Sequence, residues 1–141
     1  MKTVAVMTAS PALTAIATMM AAALPGVTAR PFVEPLAFAA ALRHERIDLI
    51  IADFDCPRMP ADRLAHAIRV DTRVGRTIPI IALGKNLGRD ARCFSSAVGI
   101  DEVILKPMSP LHLYDRIRAR LVAPAPIGPA NVIPLFSPLP N

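Results

Sequence analysis

The stretch Ile47 to Asp55, IDLIIADFD, constrains the fold of this chain more than any other. Its apolar residues Ile47, Leu49, Ile50 and Ile51 occupy both alternating faces, the pattern of a strand covered by helices on each side. Such strands belong to parallel sheets, where ligands and chemistry sit beyond the carboxyl ends of the strands. Asp53 and Asp55 fall at that end. Pro57 and Pro60 then bracket Arg58 and Met59 in a rigid loop before the next helix can begin.

The rest of the chain alternates strand and helix around this centre. Thr3 to Met7 is a β-branched run that reads as the first strand, and Ser10-Pro11 starts a helix by side-chain capping and a pre-set dihedral. Leu13, Ile16, Ala17, Met20 and Leu24 recur at helical spacing until Pro25 and Gly26 end the pattern. Val27 to Phe32 is a second strand, whose Arg30 and Pro31 suit a sheet edge. A helix follows over Pro35 to Arg46, burying Phe38, Ala41 and Leu42, and Leu64, Ala67 and Ile68 mark another over Ala61 to Val70. The polar run DTRVGRT leads to a fourth strand at Ile78 to Leu83, and Gly84, Lys85, Asn86 and Gly88 form a turn before a helix over Arg89 to Val98 that Gly99 stops. Glu102 to Leu105 is the fifth strand, followed by Lys106 and Pro107. Ser109-Pro110 repeats the earlier helix start, with Leu113, Ile117 and Leu121 as the buried stripe and Arg116 and Arg120 on a solvated face. Five such units predict a doubly wound α/β domain with right-handed crossovers.

This pattern fills residues 1–122. From Ala123 the chain turns Pro-rich, with Pro124, Pro126, Pro129, Pro134, Pro138 and Pro140, a density that predicts an extended or disordered tail. Within it Val132, Ile133, Leu135 and Phe136 are an apolar cluster suited to docking. Hydrophobic residues make up 53% of the chain but there is no Trp, so the core is aliphatic. The surplus of charge is +5, yet bases and acids are interleaved, so nucleic acid is not the expected partner. Cys56 and Cys93 have neither metal-ligand spacing nor disulfide density, which fits a reducing cytoplasm, and Cys56 reads as a packing residue. The Ala-rich start following Lys2 resembles a secretory signal, but Thr3, Thr8, Ser10, Thr14 and Thr18 dilute it and Pro11 interrupts it. No stretch offers the ~20 apolar residues of a membrane span. His44, His66 and His112 share no spacing and read as surface residues.

From Ile47 to Leu83 the sequence resembles the middle of a bacterial response-regulator receiver domain, the phosphoacceptor module of two-component signalling. GIDEVILKP, Gly99 to Pro107, looks like that family's fifth strand with its Lys-Pro ending, so the resemblance extends over Met1 to about Val122. It implies a flavodoxin-like five-stranded parallel sheet of order 2-1-3-4-5 with helices on both faces. It also implies a cytoplasmic signalling protein rather than an enzyme, with Asp53 as phosphoacceptor and Lys106 and the typically cis Pro107 in support. The backbone carbonyl of Asp55 would reach a metal. Implied partners are a sensor histidine kinase or phosphotransfer protein, an output protein not named by the sequence, and a second copy of the chain.

The departures carry as much information. Met7 and Thr8 stand where the family has its acidic pair, and a thioether and a neutral hydroxyl are poor ligands for a hard cation. The expected Mg²⁺ site, reduced to Asp53 and Asp55, is weak or absent. Gly84 stands where a Ser or Thr hydroxyl would read phosphate, with Lys85 beside it as a second cation, and Val103 stands where a switch aromatic is common. Two alternatives follow: a pseudo-receiver that docks without being phosphorylated, and, more remotely, a haloacid-dehalogenase-type phosphatase with Asp53 as nucleophile and Asp55 as acid/base. The second needs an acidic cluster after Lys106, where Asp115 is the only acid.

Overall fold

The computed structural model describes residues 1–74, 77–85 and 98–122. The buried apolar runs become five parallel strands: β1 (Lys2–Met7), β2 (Val27–Phe32), β3 (Leu49–Asp53), β4 (Ile80–Gly84) and β5 (Glu102–Leu105), in the order β2-β1-β3-β4-β5. The helices among the described residues are α1 (Pro11–Ala22), α2 (Pro35–His44), α3 (Ala61–Val70) and α4 (Pro110–Leu121). The expected helix from Arg89 lies outside the described residues, as do Asn86, Gly88, Cys93 and the tail from Ala123.

Element boundaries depart from the sequence reading by one or two residues, for local reasons. Strand β4 begins at Ile80 rather than Ile78, because Pro79 has no N–H to give the ladder, although its carbonyl accepts from Ile50. It continues through Gly84, whose carbonyl accepts from the Lys106 N–H at 2.8 Å. Helix α2 stops at His44, where Glu45 turns to extended backbone, two residues short of Arg46. Both Ser-Pro starts behave as the sequence predicts: Ser10 caps α1 through Leu13 N–H and Ser109 caps α4 through His112 N–H.

Period-two alternation splits the interior into two cores. Ala5, Met7, Ile50, Ala52, Ile80 and Ala82 face α2 and α3, together with Phe38, Leu42, Leu64 and Ile68. Val4, Val6, Leu49, Ile51, Ile81 and Leu83 face α1 and α4, together with Leu13, Ala17, Ile117 and Leu121. Cys56 is buried, as its packing role requires, while His44, His66 and His112 are exposed. No helix among the described residues is long and apolar enough to cross a membrane.

The arginines of α4 correct the sequence reading. Arg116 and Arg120 both grip Glu102 on β5, Arg120 through Nε at 3.0 Å and Arg116 through Nε and Nη2, and Arg120 also donates to the Asp101 carbonyl at 3.1 Å. Burial pushes the Glu102 carboxyl up, but the two guanidiniums outweigh it and hold its pKa below the ordinary value.

Candidate functional site

The site lies where β1, β3 and β5 end. Asp53 closes β3 and is 3% exposed, in register with Leu83 of β4. Strand β4 separates it from β5, so Lys106 does not come from an adjacent strand. Gly84, which pairs with Leu105, ends β4 with no side chain, and Lys106 reaches over that end. Its Nζ donates to Asp53 Oδ1 at 2.7 Å and to Asp55 Oδ2 at 3.0 Å. The Lys106–Pro107 bond is cis.

Thr8 completes the arrangement. It follows β1, is 2% exposed, and its hydroxyl donates to Asp53 Oδ2 at 2.9 Å while accepting from the Ser10 N–H at 3.1 Å. The Asp55 N–H donates to Asp53 Oδ1 at 2.9 Å, an Asx-type turn that sets the start of the β3–α3 loop. The buried carboxylate thus accepts three hydrogen bonds, one from each of three loops, and one donor is charged. That pattern satisfies a buried anion, which would otherwise be costly to desolvate. Burial works against the Lys106 ammonium, but hydrogen bonds and charge from Asp53 and Asp55 prevail, so its pKa lies above the ordinary lysine value. Lys106 therefore stays charged throughout the neutral range.

The other residues singled out by sequence divide into those brought here and those placed elsewhere. Met7 is fully buried in the core under α2 and α3, so its thioether serves packing. Lys85 is exposed at the end of β4. Asp53's partners among the described residues are Thr8, Asp55 and Lys106. Lys85 and Lys106 share one cavity of about 550 Å³ with Ser10, Leu13, Ile16 and Met108. Val103 is half-buried against the α2/α3 core. Asp115 is exposed on α4. The donating role of Thr8 escaped the sequence reading, which weighed its oxygen only as a metal ligand. The signal was available: a hydroxyl just past β1 is at hydrogen-bonding range of a carboxylate ending the next strand in the sheet.

The donor set does not suit a divalent metal. Mg²⁺ asks for near-octahedral oxygen, commonly including charged carboxylates. Here Asp55 is the second acid, its carboxylate is tied to Lys106, and no group of three His, Cys, Asp or Glu residues that could hold a metal exists among the described residues.

No protein-family model and no curated protein matches the sequence. Solved structures do match in fold. A chemotaxis response regulator of Vibrio cholerae, CheY4, superposes with a TM-score of 0.75 at 21% identity, covering 86% of this chain and 99% of the other. A Francisella response-regulator receiver domain gives 0.75 at 16% identity over 86% and 98% of the two chains. The receiver domain of a sensor histidine kinase from Pseudomonas aeruginosa PAO1, with a magnesium ion coordinated in its active-site cleft, gives 0.72 at 20% identity over 86% and 98%. The fold of this chain is the CheY-like, flavodoxin-like receiver fold.

Proposed function

We propose that this receiver-fold chain is a two-component-type signalling module that works by docking to a protein partner. In this reading Asp53 occupies the phosphoacceptor position but is held by protein groups instead of being cycled through Mg²⁺-assisted phosphorylation. The observation that carries the reading is the Thr8 hydroxyl, which donates to Asp53 Oδ2 from the place where an acid would help hold the metal. A phosphoryl group on Asp53 would bring close to two negative charges beside the Asp55 carboxylate. Lys106, already shared between the two aspartates, offsets only part of that charge. Gly84 offers no hydroxyl to the phosphoryl oxygens and Val103 is no aromatic switch, so the means of relaying phosphorylation to the surface are reduced as well.

A second reading rests on Asp53, Lys106 and Pro107, which keep the positions that support phosphotransfer in the family the sequence resembles. In that reading the chain accepts phosphate from a histidine kinase or phosphotransfer protein. The phosphatase alternative has less support, since Asp115, the only acid after Lys106, is exposed on α4 and not at the site.

Incubation with Mg²⁺ and acetyl phosphate, followed by intact-mass measurement, separates the first two readings. The docking reading expects little or no added mass on a timescale that fully labels an ordinary receiver. Rapid, stoichiometric, Mg²⁺-dependent labelling that disappears in Asp53→Ala would establish a working phosphoacceptor instead.

A further inference from the structure

We infer that the groove between α2 and α3 is a binding site for a small amphipathic carboxylate, a molecule with an apolar body and one anionic end. The inference goes beyond the docking reading and does not rest on it, since none of Thr8, Asp53 and Lys106 lines the groove. On the opposite face of the sheet α1 and α4 pack against each other, whereas α2 and α3 do not close together. They leave a cavity of about 460 Å³, floored by Phe38, Leu42, Leu64 and Ile68. Small ligands take apolar concavities of about 300–1,000 Å³ that carry a few convergent polar groups. Ala39 and Ala67 stand at the sides, and their short side chains leave the mouth open.

The polar groups gather at one end. Arg43 near the end of α2 and Arg73 past α3 both bond to Asp71, through Arg43 Nη2 at 3.0 Å and Arg73 Nε at 3.1 Å. The Arg73 N–H and guanidinium, and the Arg43 guanidinium after them, hold the Asp71 carboxyl down to about 2. Asp71 is therefore ionised at neutral pH and cancels one of the two positive charges. These three are the charged residues of the lining, so the groove keeps a surplus of one positive charge at this end. Among the described residues Arg73 has Asp71 as its partner through N–H and Nε, which leaves its Nη groups for a ligand anion.

The ion pairs also set what fits. Glu34 and Arg58, 2.6 Å apart, join the loops next to Pro35 and Met59, and Arg43 and Asp71 join α2 to the end of α3. With both ends tied, a partner helix or strand cannot run through the groove, whereas a short chain lies within it. Helix α2, with 10 residues, is about 15 Å long, the scale of a medium-chain acyl carboxylate with its head at Arg73 and its tail toward Met59.

Decanoate, kept below its micelle-forming concentration, is the probe. Calorimetric titration of the full chain is expected to show one saturable site, with amide shifts concentrated on α2, α3 and residues 71–74. Affinity should rise about fourfold for each methylene buried along the series from hexanoate to decanoate. Decyltrimethylammonium, with a like body and the opposite charge, should bind about fivefold more weakly. Arg73→Gln is expected to weaken decanoate about threefold to fivefold and to leave octanol unaffected. Ala67→Phe fills the groove and should weaken both on the order of tenfold. Both side chains are exposed, so neither change threatens the fold. Affinity independent of chain length, equal affinity for the ammonium, or shifts centred on Lys85 and Lys106 would overturn the inference. A dimer in light scattering that Ala67→Phe dissociates would overturn it in favour of a second copy. Decanoate-induced shifts at residues 132–136 would overturn it in favour of the chain's own tail.

Discussion

At the scale of single residues, Thr8 and Asp53 show how one substitution changes what a buried carboxylate needs. An acid beside Asp53 would repel it and require a cation; the Thr8 hydroxyl instead donates to Asp53 and takes the Ser10 N–H in turn. Thr8→Val keeps the shape and deletes the hydroxyl, leaving Asp53 Oδ2 and the Ser10 N–H each short of a partner. We expect a loss of about 1–3 kcal/mol, read as a lower denaturation midpoint with an unchanged denaturant slope. Gly99 is a second such position. It has φ of +99°, and a Cβ there would meet Arg69 Cγ at 2.6 Å, while the Arg69 guanidinium donates to the Gly99 carbonyl. Gly99→Ala should therefore cost about 1–3 kcal/mol, and a thermal melt within a degree of wild type would contradict it.

At the scale of elements, the strands were legible because burial on both faces leaves a mark that neighbouring residues share. IDLIIADFD and IIAL read as central strands on their own, and their pairing follows from alternation with helices. Links between elements left no such mark. Arg116 and Arg120 one turn apart on α4 look like a solvated face, and only the docking of α4 under β5 brings Glu102 between them. Because the folded pKa of Glu102 is depressed, its contribution is fully present above the unfolded value of about 4.3 and is lost as pH falls through the lower folded value. Glu102→Gln should then lower the melting temperature by a few degrees at pH 7, for a loss of about 1 kcal/mol, and the gap to wild type should narrow in acid. A gap that persists unchanged at pH 2 would assign the loss to packing rather than charge.

At the scale of the whole molecule, right-handed crossovers between five strand-helix units narrowed the topologies, the resemblance to receiver domains supplied the order β2-β1-β3-β4-β5, and the carboxyl ends of the strands marked the end that carries the site. The meeting of Lys106 with Asp53 was legible through the resemblance; what could not be read was the Thr8 hydroxyl that closes the site from the loop after β1. The tail should add nothing to the fold, as its prolines cannot enter a helix or the sheet. Cutting the chain after Val122 is expected to leave the melting temperature unchanged, and a large drop would mean that the segment from Val132 to Phe136 packs on the domain. The first strand and the last helix meet at the end of the sheet opposite Asp53, where the Lys2 ammonium donates to the Leu121 carbonyl at 2.6 Å. Residues 2 and 121, at the two ends of the described fold, are therefore side by side, like the two leads of a plug. A domain wired this way can be spliced into a surface loop of a host protein without prying the host apart, leaving the opposite face free.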